Sequence, residues 1–225
     1  MNVDKLIRQL PLKEMESSLL ARAIYSHAAE TGMDTEKVRE AVALASYLHR
    51  THTRSVRSVM PRTHYIEHPL RNAVRLFRYG VTDQDVIIAA ILHDTVEDAL
   101  EEFYAIAANK VGTVYSIPTP AQMRFQVYTY IGKVYGKDCQ TFVEGVTNAL
   151  PTEVYRHLAK TQKREVYLEN VTRKINSSPG VALVKFADFV DNGVGLAHQD
   201  TPENRGMLNH LGKKYLPLVP VFRER

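Results

Sequence analysis

Apolar residues recur at intervals of three and four positions along most of the chain, and strand-like alternation of apolar and polar residues is scarce. Residues spaced in this way lie on one face of a helix, so the pattern predicts amphipathic helices. Two segments show it most clearly: Val38, Ala41, Val42, Ala45 and Leu48, and then Leu70, Ala73, Val74 and Phe77. The sequence therefore predicts an all-α fold.

Capping signals place several helix boundaries. Asp34-Thr35 and Thr82-Asp83 each put a short polar side chain before an apolar segment, where it can bond free backbone N–H groups. The second of these helices is expected to end near Leu100. Further predicted starts are the Thr119-Pro120-Ala121-Gln122 capping box, about Glu153, the break at Ser177-Ser178-Pro179-Gly180, and Thr201-Pro202-Glu203. The helix after Thr119 is expected to end at Gly136 and the helix from Glu153 at Asn176, with residues 101–118 as an irregular excursion.

The composition fits one globular domain. The chain has 225 residues, of which 44% are hydrophobic and 24% are charged, with no bias towards disorder. We expect residues 1–40 to form an N-terminal helical extension and residues 41–225 to form the main domain. Cys139 is the single cysteine, which excludes an internal disulfide and a cysteine-based zinc site. No apolar run reaches the roughly 20 residues that span a bilayer, and no signal peptide opens the chain, so we expect a cytoplasmic protein with no membrane partner.

The net charge of +4 comes largely from two groups of arginines. The groups are Arg50, Arg54, Arg57 and Arg62, and then Arg71, Arg75 and Arg78. Such clusters attract phosphate. Nothing further supports a polynucleotide as the source of this phosphate, because the chain has no nucleic-acid-binding motif and no tryptophan. A small polyphosphorylated nucleotide fits the charge equally well, and we expect no nucleic-acid partner.

The most informative segment is the octapeptide Ile91-Leu92-His93-Asp94-Thr95-Val96-Glu97-Asp98. On a helix, the spacing of His93, Asp94, Glu97 and Asp98 puts all four polar groups on one flank. Three carboxylates in this arrangement repel one another, and a cation bound at His93 and Asp94 would offset the repulsion. The alternative interpretation is a solvated acidic helix end. The preceding run from Val86 to Leu92 is apolar nearly all round, which favours an interior position and a bound metal ion.

Two ligands on one helix do not hold a metal ion, and the chain offers two further candidates. His68 stands directly before Pro69, and Asp188 lies on an otherwise apolar helix face. Each has a simpler explanation, because a single histidine near a helix start is often a cap or a core residue and a single aspartate is often a salt-bridge partner.

Five motifs follow one another in a characteristic order. They are Leu48-His49-Arg50 with Arg54; Tyr65-Ile66-Glu67-His68-Pro69; Leu92-His93-Asp94-Thr95-Val96-Glu97-Asp98; Val143-Glu144-Gly145-Val146-Thr147; and Ser177-Ser178-Pro179-Gly180 leading into Leu183-Val184-Lys185-Phe186-Ala187-Asp188. In this order they resemble the hydrolase domain of the RelA/SpoT family, the metal-dependent histidine-aspartate (HD) enzymes that degrade guanosine tetraphosphate alarmones. Nothing in the chain corresponds to a synthetase domain, so the resemblance is to a stand-alone small alarmone hydrolase of the metazoan SpoT-homologue kind, or to bacterial and phage relatives.

The resemblance implies an all-α HD-domain helical bundle and a set of site residues. His68, His93, Asp94 and Asp188 would bind the metal ion, typically Mn²⁺, with Fe²⁺ or Zn²⁺ as alternatives. Glu97 and Asp98 would face the reacting water. Substrate contacts would come from Arg50, Arg54, Asn192, Lys163, Arg164 and Tyr215. The implied reaction is hydrolysis of the 3′-diphosphate of guanosine tetraphosphate or pentaphosphate, giving GDP or GTP and pyrophosphate.

Three alternatives stay open at this stage. Asp191 stands where the family commonly has an aromatic residue, which leaves the identity of the base open and makes an adenosine alarmone an alternative substrate. A second alternative is a non-catalytic alarmone sensor, and a third is an antitoxin-like protein that binds a partner, or a second copy of itself, through its N-terminal helices. The complete set of ligands and the Glu97-Asp98 pair favour catalysis.

Overall fold

A computed structural model describes residues 3–54, 63–112, 117–148, 157–193 and 205–224. The first half contains α1 (Val3–Gln9), α2 (Ser17–Glu30), α3 (Thr35–Leu48), α4 (Glu67–Arg78), α5 (Gln84–Leu92), α6 (Thr95–Asp98) and α7 (Leu100–Val111). The second half contains α8 (Pro120–Val134), α9 (Lys137–Val146), α10 (Lys160–Ser177), α11 (Pro179–Gly193), α12 (Arg205–Tyr215) and α13 (Val219–Arg223). Single 3₁₀ turns span Leu12–Glu14 and Leu216–Leu218, and strand β1 (Thr53–Arg54) pairs antiparallel with β2 (Thr63–His64). The predicted all-α fold is confirmed.

The predicted capping signals act as expected at three helices. The Asp34 carboxylate accepts the backbone N–H groups of Glu36 and Lys37, and the Asp83 carboxylate caps α5 in the same way. Thr119 and Gln122 form the reciprocal capping box at the start of α8. These boundaries could be predicted because a cap depends on neighbouring residues alone.

Helix α5 lies at the centre of the bundle. All of its residues from Val86 to Leu92 are buried, and α3, α4, α9 and α11 pack around it. A second, smaller apolar cluster joins α10 to the C-terminal helices through Val171, Ile175, Tyr215 and Leu218. Because α5 is buried on every side, the His93-Asp94 pair at its C-terminal end is delivered to the protein interior. None of the described helices is long and apolar enough to cross a membrane.

The predicted continuous helix from Thr82 to about Leu100 is wrong, because the helix is interrupted at the His93-Asp94 pair. Helix α5 ends at Leu92, and α6 begins at Thr95. The Thr95 hydroxyl donates a hydrogen bond of 2.6 Å to the Leu92 carbonyl oxygen, so a side chain takes an acceptor that a continuous helix would give to the backbone. The break turns Asp94 and the residues after it towards the neighbouring helices.

The predicted irregular excursion at residues 101–118 is also wrong for its larger part. Residues 100–111 form the regular helix α7, which ends at Gly112 in the left-handed conformation with φ of 81°. The Phe103 side chain is fully buried against α8, 5.8 Å from the Tyr130 ring. The spacing of Phe103, Ala107 and Ala108 was the helical signal, and the tyrosines around it obscured the pattern. Residues 113–116 lie outside the described part.

Two other predicted boundaries fall partly outside the described residues. The continuous helix expected from Glu153 to Asn176 is wrong: residues 157–159 are not helical, and after the extended Ala159 the helix begins at Lys160 and ends at Ser177, while residues 149–156 are outside. The start expected at Thr201 is outside as well, and the described helix there begins at Arg205.

The N-terminal helices share the core of the bundle. Ile7, Met15, Leu20 and Ile24 belong to the same apolar cluster as the residues of α5. The boundary expected at residue 40 falls inside α3. The division into an extension and a main domain stays a prediction.

A close approach of α9 and α11 gives a stability prediction. A Cβ atom added at Gly145 would lie 2.4 Å from the Val181 Cγ2 atom, and valine is stiff about χ1. We expect Gly145→Ala to lower the free energy of unfolding by about 1–3 kcal/mol, the usual cost of overpacking, as measured in urea. Gly212→Ala in α12 is the matched control, because no atom lies within 4 Å of the added Cβ and helix propensity favours alanine. Equal stabilities of the two variants would contradict the close approach.

Candidate metal centre

The four predicted ligands converge from three parts of the fold. His68 is on α4, His93 and Asp94 lie in the break between α5 and α6, and Asp188 is on α11. The His68 Nε2 atom is 3.1 Å from Asp188 Oδ1 and 3.5 Å from Asp94 Oδ2. The His93 Nε2 atom is 3.0 Å from Asp94 Oδ2 and 3.8 Å from Asp188 Oδ1. The two imidazoles are each 1% exposed.

Hydrogen bonds on the far side of each imidazole determine which ring nitrogen faces the centre. His93 Nδ1 lies 2.8 Å from the Ala90 carbonyl oxygen, which only accepts, so Nδ1 carries the hydrogen. His68 Nδ1 lies 2.7 Å from Asp191 Oδ2. A carboxylate oxygen also only accepts, so the hydrogen of the His68 ring is likewise on Nδ1. In their neutral forms both rings turn an Nε2 lone pair towards carboxylate oxygens, and His93 Nε2 has no hydrogen-bond partner among the described residues. This set of two nitrogens and two carboxylates fits a divalent ion such as Mn²⁺, Fe²⁺ or Zn²⁺.

The pKa shifts of these groups also favour a bound cation. Burial alone would lower the pKa of His93, but Asp94 and Asp188 outweigh it and raise that pKa well above its usual value. Burial would raise the pKa values of Asp94 and Asp188, and their imidazole neighbours lower both instead. The cluster therefore attracts positive charge, which a proton on His93 or a metal ion can supply.

Three polar side chains surround the ligands. Tyr65 Oη donates to Asp94 Oδ2 at 2.7 Å, and Asn192 Nδ2 donates to Asp188 Oδ1 at 2.6 Å. Arg54 Nη2 donates to Asn192 Oδ1 at 2.7 Å, with its guanidinium 5.5 Å from the centre of the Tyr65 ring. Arg54 and Asn192 thus lie beside the centre, and their contacts to substrate stay predictions. Tyr65 was missed, although it stands three residues before His68 in a quoted motif.

Glu97 and Asp98 line a cleft beside the centre. The cleft has a volume of about 410 Å³ and is walled by the loop at Thr51 and His52 and by the start of α8. The Glu97 carboxylate accepts the backbone N–H of Asn148. Part of the Asp98 side chain is open to solvent, yet the cleft removes enough water to raise the pKa of Asp98 to about 7, with further contributions from Asp94 and Glu97. Partial desolvation in the cleft also raises the pKa of Glu97, although this residue is exposed at the surface.

Two of the three arginines in the second group face inwards, which corrects the interpretation of this group as a phosphate-attracting cluster. Arg71 and Arg75 are buried and each lies 3.0 Å from the carboxylate of Asp191, while Arg78 donates to the Leu10 carbonyl oxygen. Arg57 and Arg62 of the first group lie outside the described residues. Local charge density suggested a surface, but the tertiary fold provides the buried anion that these arginines need.

The remaining predicted substrate contacts are less well placed. Arg50 is on the surface, 3.0 Å from the Glu102 carboxylate and over the Tyr47 ring. Lys163 and Arg164 are on α10, and no hydrogen bond or ion pair joins their side chains to the centre within the described residues. Tyr215 is buried, with its ring 6.0 Å from that of Phe189. Burial, and then Asp188, raises the pKa of Tyr215, which places its hydroxyl in the field of the centre. The roles of all these residues stay predictions.

Comparison with known proteins connects this site to an enzyme class. The chain is 28% identical over 185 residues to the human guanosine-3′,5′-bis(diphosphate) 3′-pyrophosphohydrolase MESH1. The aligned region covers 82% of this chain and 81% of the human protein. The mouse protein of the same name is 27% identical over 162 residues, 72% of this chain and 70% of its own length. The Xenopus tropicalis protein is 27% identical over 150 residues, 66% of this chain and 64% of its own length. No family model and no solved structure matches the chain.

These relatives confirm the resemblance that the motifs gave. By these comparisons the chain resembles guanosine-3′,5′-bis(diphosphate) 3′-pyrophosphohydrolases. Within that class, it is similar to the MESH1 pyrophosphohydrolases over most of its length.

Proposed function

We propose that the protein is a Mn²⁺-dependent 3′-pyrophosphohydrolase of guanosine tetraphosphate and pentaphosphate, releasing pyrophosphate and GDP or GTP. One observation carries the proposal: two buried imidazole nitrogens and two carboxylates converge beside an acidic cleft, in a chain similar to enzymes named for this reaction. His68, His93, Asp94 and Asp188 would hold the ion. When bound, the ion would supply positive charge and lower the pKa of a coordinated water.

The carboxyl groups of Glu97 and Asp98 in the cleft would handle the proton transfers. Hydrolysis breaks the bond between the 3′ oxygen and the pyrophosphate, so one group must take a proton from water and a proton must reach the leaving oxygen. Asp98, with a pKa raised to about 7, is suited to exchange protons at neutral pH. Glu97 is held by the Asn148 N–H and would orient the water beside it. Asp98 would take the proton from water as a carboxylate and then give it to the leaving 3′ oxygen, which makes the reaction dependent on pH.

The contacts to phosphate would begin with Arg54. Its guanidinium lies between the Tyr65 ring and Asn192, within one side chain of Asp188. A guanidinium in this position can hold phosphate oxygens with two parallel hydrogen bonds and offset their charge near the centre. Arg50, Lys163, Arg164 and Tyr215 remain proposed contacts, and the first three would have to move towards the centre when substrate binds.

A second candidate substrate is an adenosine alarmone. Asp191 occupies the position where the family commonly carries an aromatic residue, and its buried carboxylate faces His68 rather than a nucleotide. The aromatic base contact is therefore missing from this position, and the choice of base depends on other residues. The non-catalytic sensor and the antitoxin-like protein have no such support.

The test is a hydrolysis assay with guanosine and adenosine 3′,5′-bis(diphosphates), each with Mn²⁺, Fe²⁺ or Zn²⁺ and with a chelator. We expect pyrophosphate and GDP from the guanosine compound with Mn²⁺, none with the chelator, and no alarmone synthesis from ATP and GDP. Products would be separated by anion exchange. Turnover of the adenosine compound alone would favour the second candidate. If both compounds stay intact with every metal, the proposed function is wrong.

A further inference from the structure

A buried aspartate touches one of the proposed metal ligands from behind. Asp191 is on α11, three residues after Asp188, and is 1% exposed. Its Oδ2 atom lies 2.7 Å from His68 Nδ1, the ring nitrogen that faces away from the centre. We propose that Asp191 is a positioning residue that fixes the tautomer of His68 so that Nε2 offers a lone pair to the metal ion. The inference rests on the proposed metal centre and assigns a new role within it.

The surroundings of Asp191 determine its charge. Arg71 Nε lies 3.0 Å from its carboxylate, Arg75 Nη2 lies 3.0 Å from it, and Lys13 Nζ lies 3.1 Å from it. Three cations hold this group as the carboxylate, which can only accept hydrogen bonds. The hydrogen of a neutral His68 ring must then be on Nδ1. Nε2, 3.1 Å from Asp188 Oδ1, is left as the acceptor. A hydrogen bond of this kind behind a metal-binding histidine orients the ring and increases its basicity.

The two histidines of the centre are fixed by different means. His93 donates from Nδ1 to the Ala90 carbonyl oxygen, an acceptor that no substitution at residue 90 removes. His68 depends on a side chain, so a single substitution can change its tautomer. The family resemblance implied no such role for position 191, because the aromatic residue common there carries no carboxylate.

The same carboxylate connects the N-terminal segment to the centre. Lys13, from the 3₁₀ turn Leu12–Glu14, donates to the Asp191 backbone oxygen at 3.0 Å as well as pairing with the carboxylate. The chain before residue 40 therefore supplies one of the three cations around Asp191. On this proposal, that part of the chain supports the metal centre from behind.

The experiment replaces the acceptor while keeping the shape. In Asp191→Asn the amide oxygen is expected to stay with the arginines and the NH₂ group to face His68 Nδ1, which forces the hydrogen onto Nε2. Long-range ¹H–¹⁵N NMR of metal-free protein, recorded above the titration range of the ring, identifies the tautomer directly. We expect Nδ1–H in the wild type and Nε2–H in the variant. Titration with Mn²⁺ should show a dissociation constant raised by about 10–100-fold.

Glu67→Gln is the matched control. Glu67 Oε2 lies 3.3 Å from Arg71 Nη1, so this variant makes the same change of charge at the same arginine and leaves Asp191 in place. It is expected to keep the Nδ1–H tautomer and the Mn²⁺ affinity of the wild type. If Asp191→Asn also keeps both, or if Glu67→Gln loses both, Asp191 merely neutralises the arginines and the proposal is wrong.

Two outcomes separate this inference from the proposed function. A wild-type spectrum with Nε2–H on His68 overturns the inference even if Asp191→Asn fails to fold. A wild type that binds no Mn²⁺ overturns the metal centre, while the NMR comparison still decides whether Asp191 sets the tautomer.

Discussion

Asp188→Ala is expected to abolish both Mn²⁺ retention and alarmone hydrolysis. Asp188 Oδ1 is the atom that both imidazoles face, at 3.1 Å from His68 Nε2 and 3.8 Å from His93 Nε2. Its removal takes one of four ligands away and also releases Asn192, which connects Arg54 to the centre. Metal content after gel filtration, by mass spectrometry, and kcat with added Mn²⁺ are the two measurements.

The matched control for this prediction is Asp138→Ala. Asp138 is an exposed carboxylate in the first turn of α9, so its loss should change neither metal content nor kcat. His93→Ala should behave like Asp188→Ala, because it removes the nitrogen that faces Asp94 at 3.0 Å. Full metal occupancy in either variant would exclude these residues from the ligand set.

Asp98→Asn is expected to lower kcat by about 10²–10⁴-fold while the metal stays bound, the usual effect of removing an acid–base group. Asp98 lies in the cleft next to the centre rather than among the four converging ligands. Its pKa is raised to about 7, so its carboxylate, the form that accepts a proton, predominates only above that pH. That value belongs to the metal-free protein, and a bound cation lowers it, so in the wild type kcat should rise with pH below or through neutral pH, and in the variant this rise should be absent. Metal loss from Asp98→Asn would reassign the residue to the ligand set.

The same shift of pKa predicts how stability depends on pH in the metal-free protein. Between the usual aspartate pKa of about 4 and about 7, folded Asp98 keeps a proton that the unfolded chain has lost. The contribution of this group to the free energy of unfolding therefore falls as pH rises through that window. In Asp98→Asn this part of the pH dependence should disappear, and urea unfolding at several pH values measures it.

Helix boundaries show where local sequence suffices. Asp34, Asp83 and the Thr119-Gln122 pair cap their helices as predicted, because the cap and its partners are three or fewer residues apart. The break between α5 and α6 was not predicted. The hydroxyl of Thr95 and the packing around His93 decide it, and the apolar pattern continues across it without interruption.

The sequence alone determined the all-α class, because the helical period is a property of residue spacing. The family resemblance of the ordered motifs implied four metal ligands, and the structure brings these four residues close together. Only the tertiary structure decided which charged side chains are buried and which partners they have. Arg71 and Arg75 looked like surface cations, and Asp191 looked like a lost aromatic contact. They form one buried network behind His68, because α4 and α11 pack together although they are more than a hundred residues apart in sequence. Their packing excludes water, so each buried charge is stabilised by an opposite charge on the other helix.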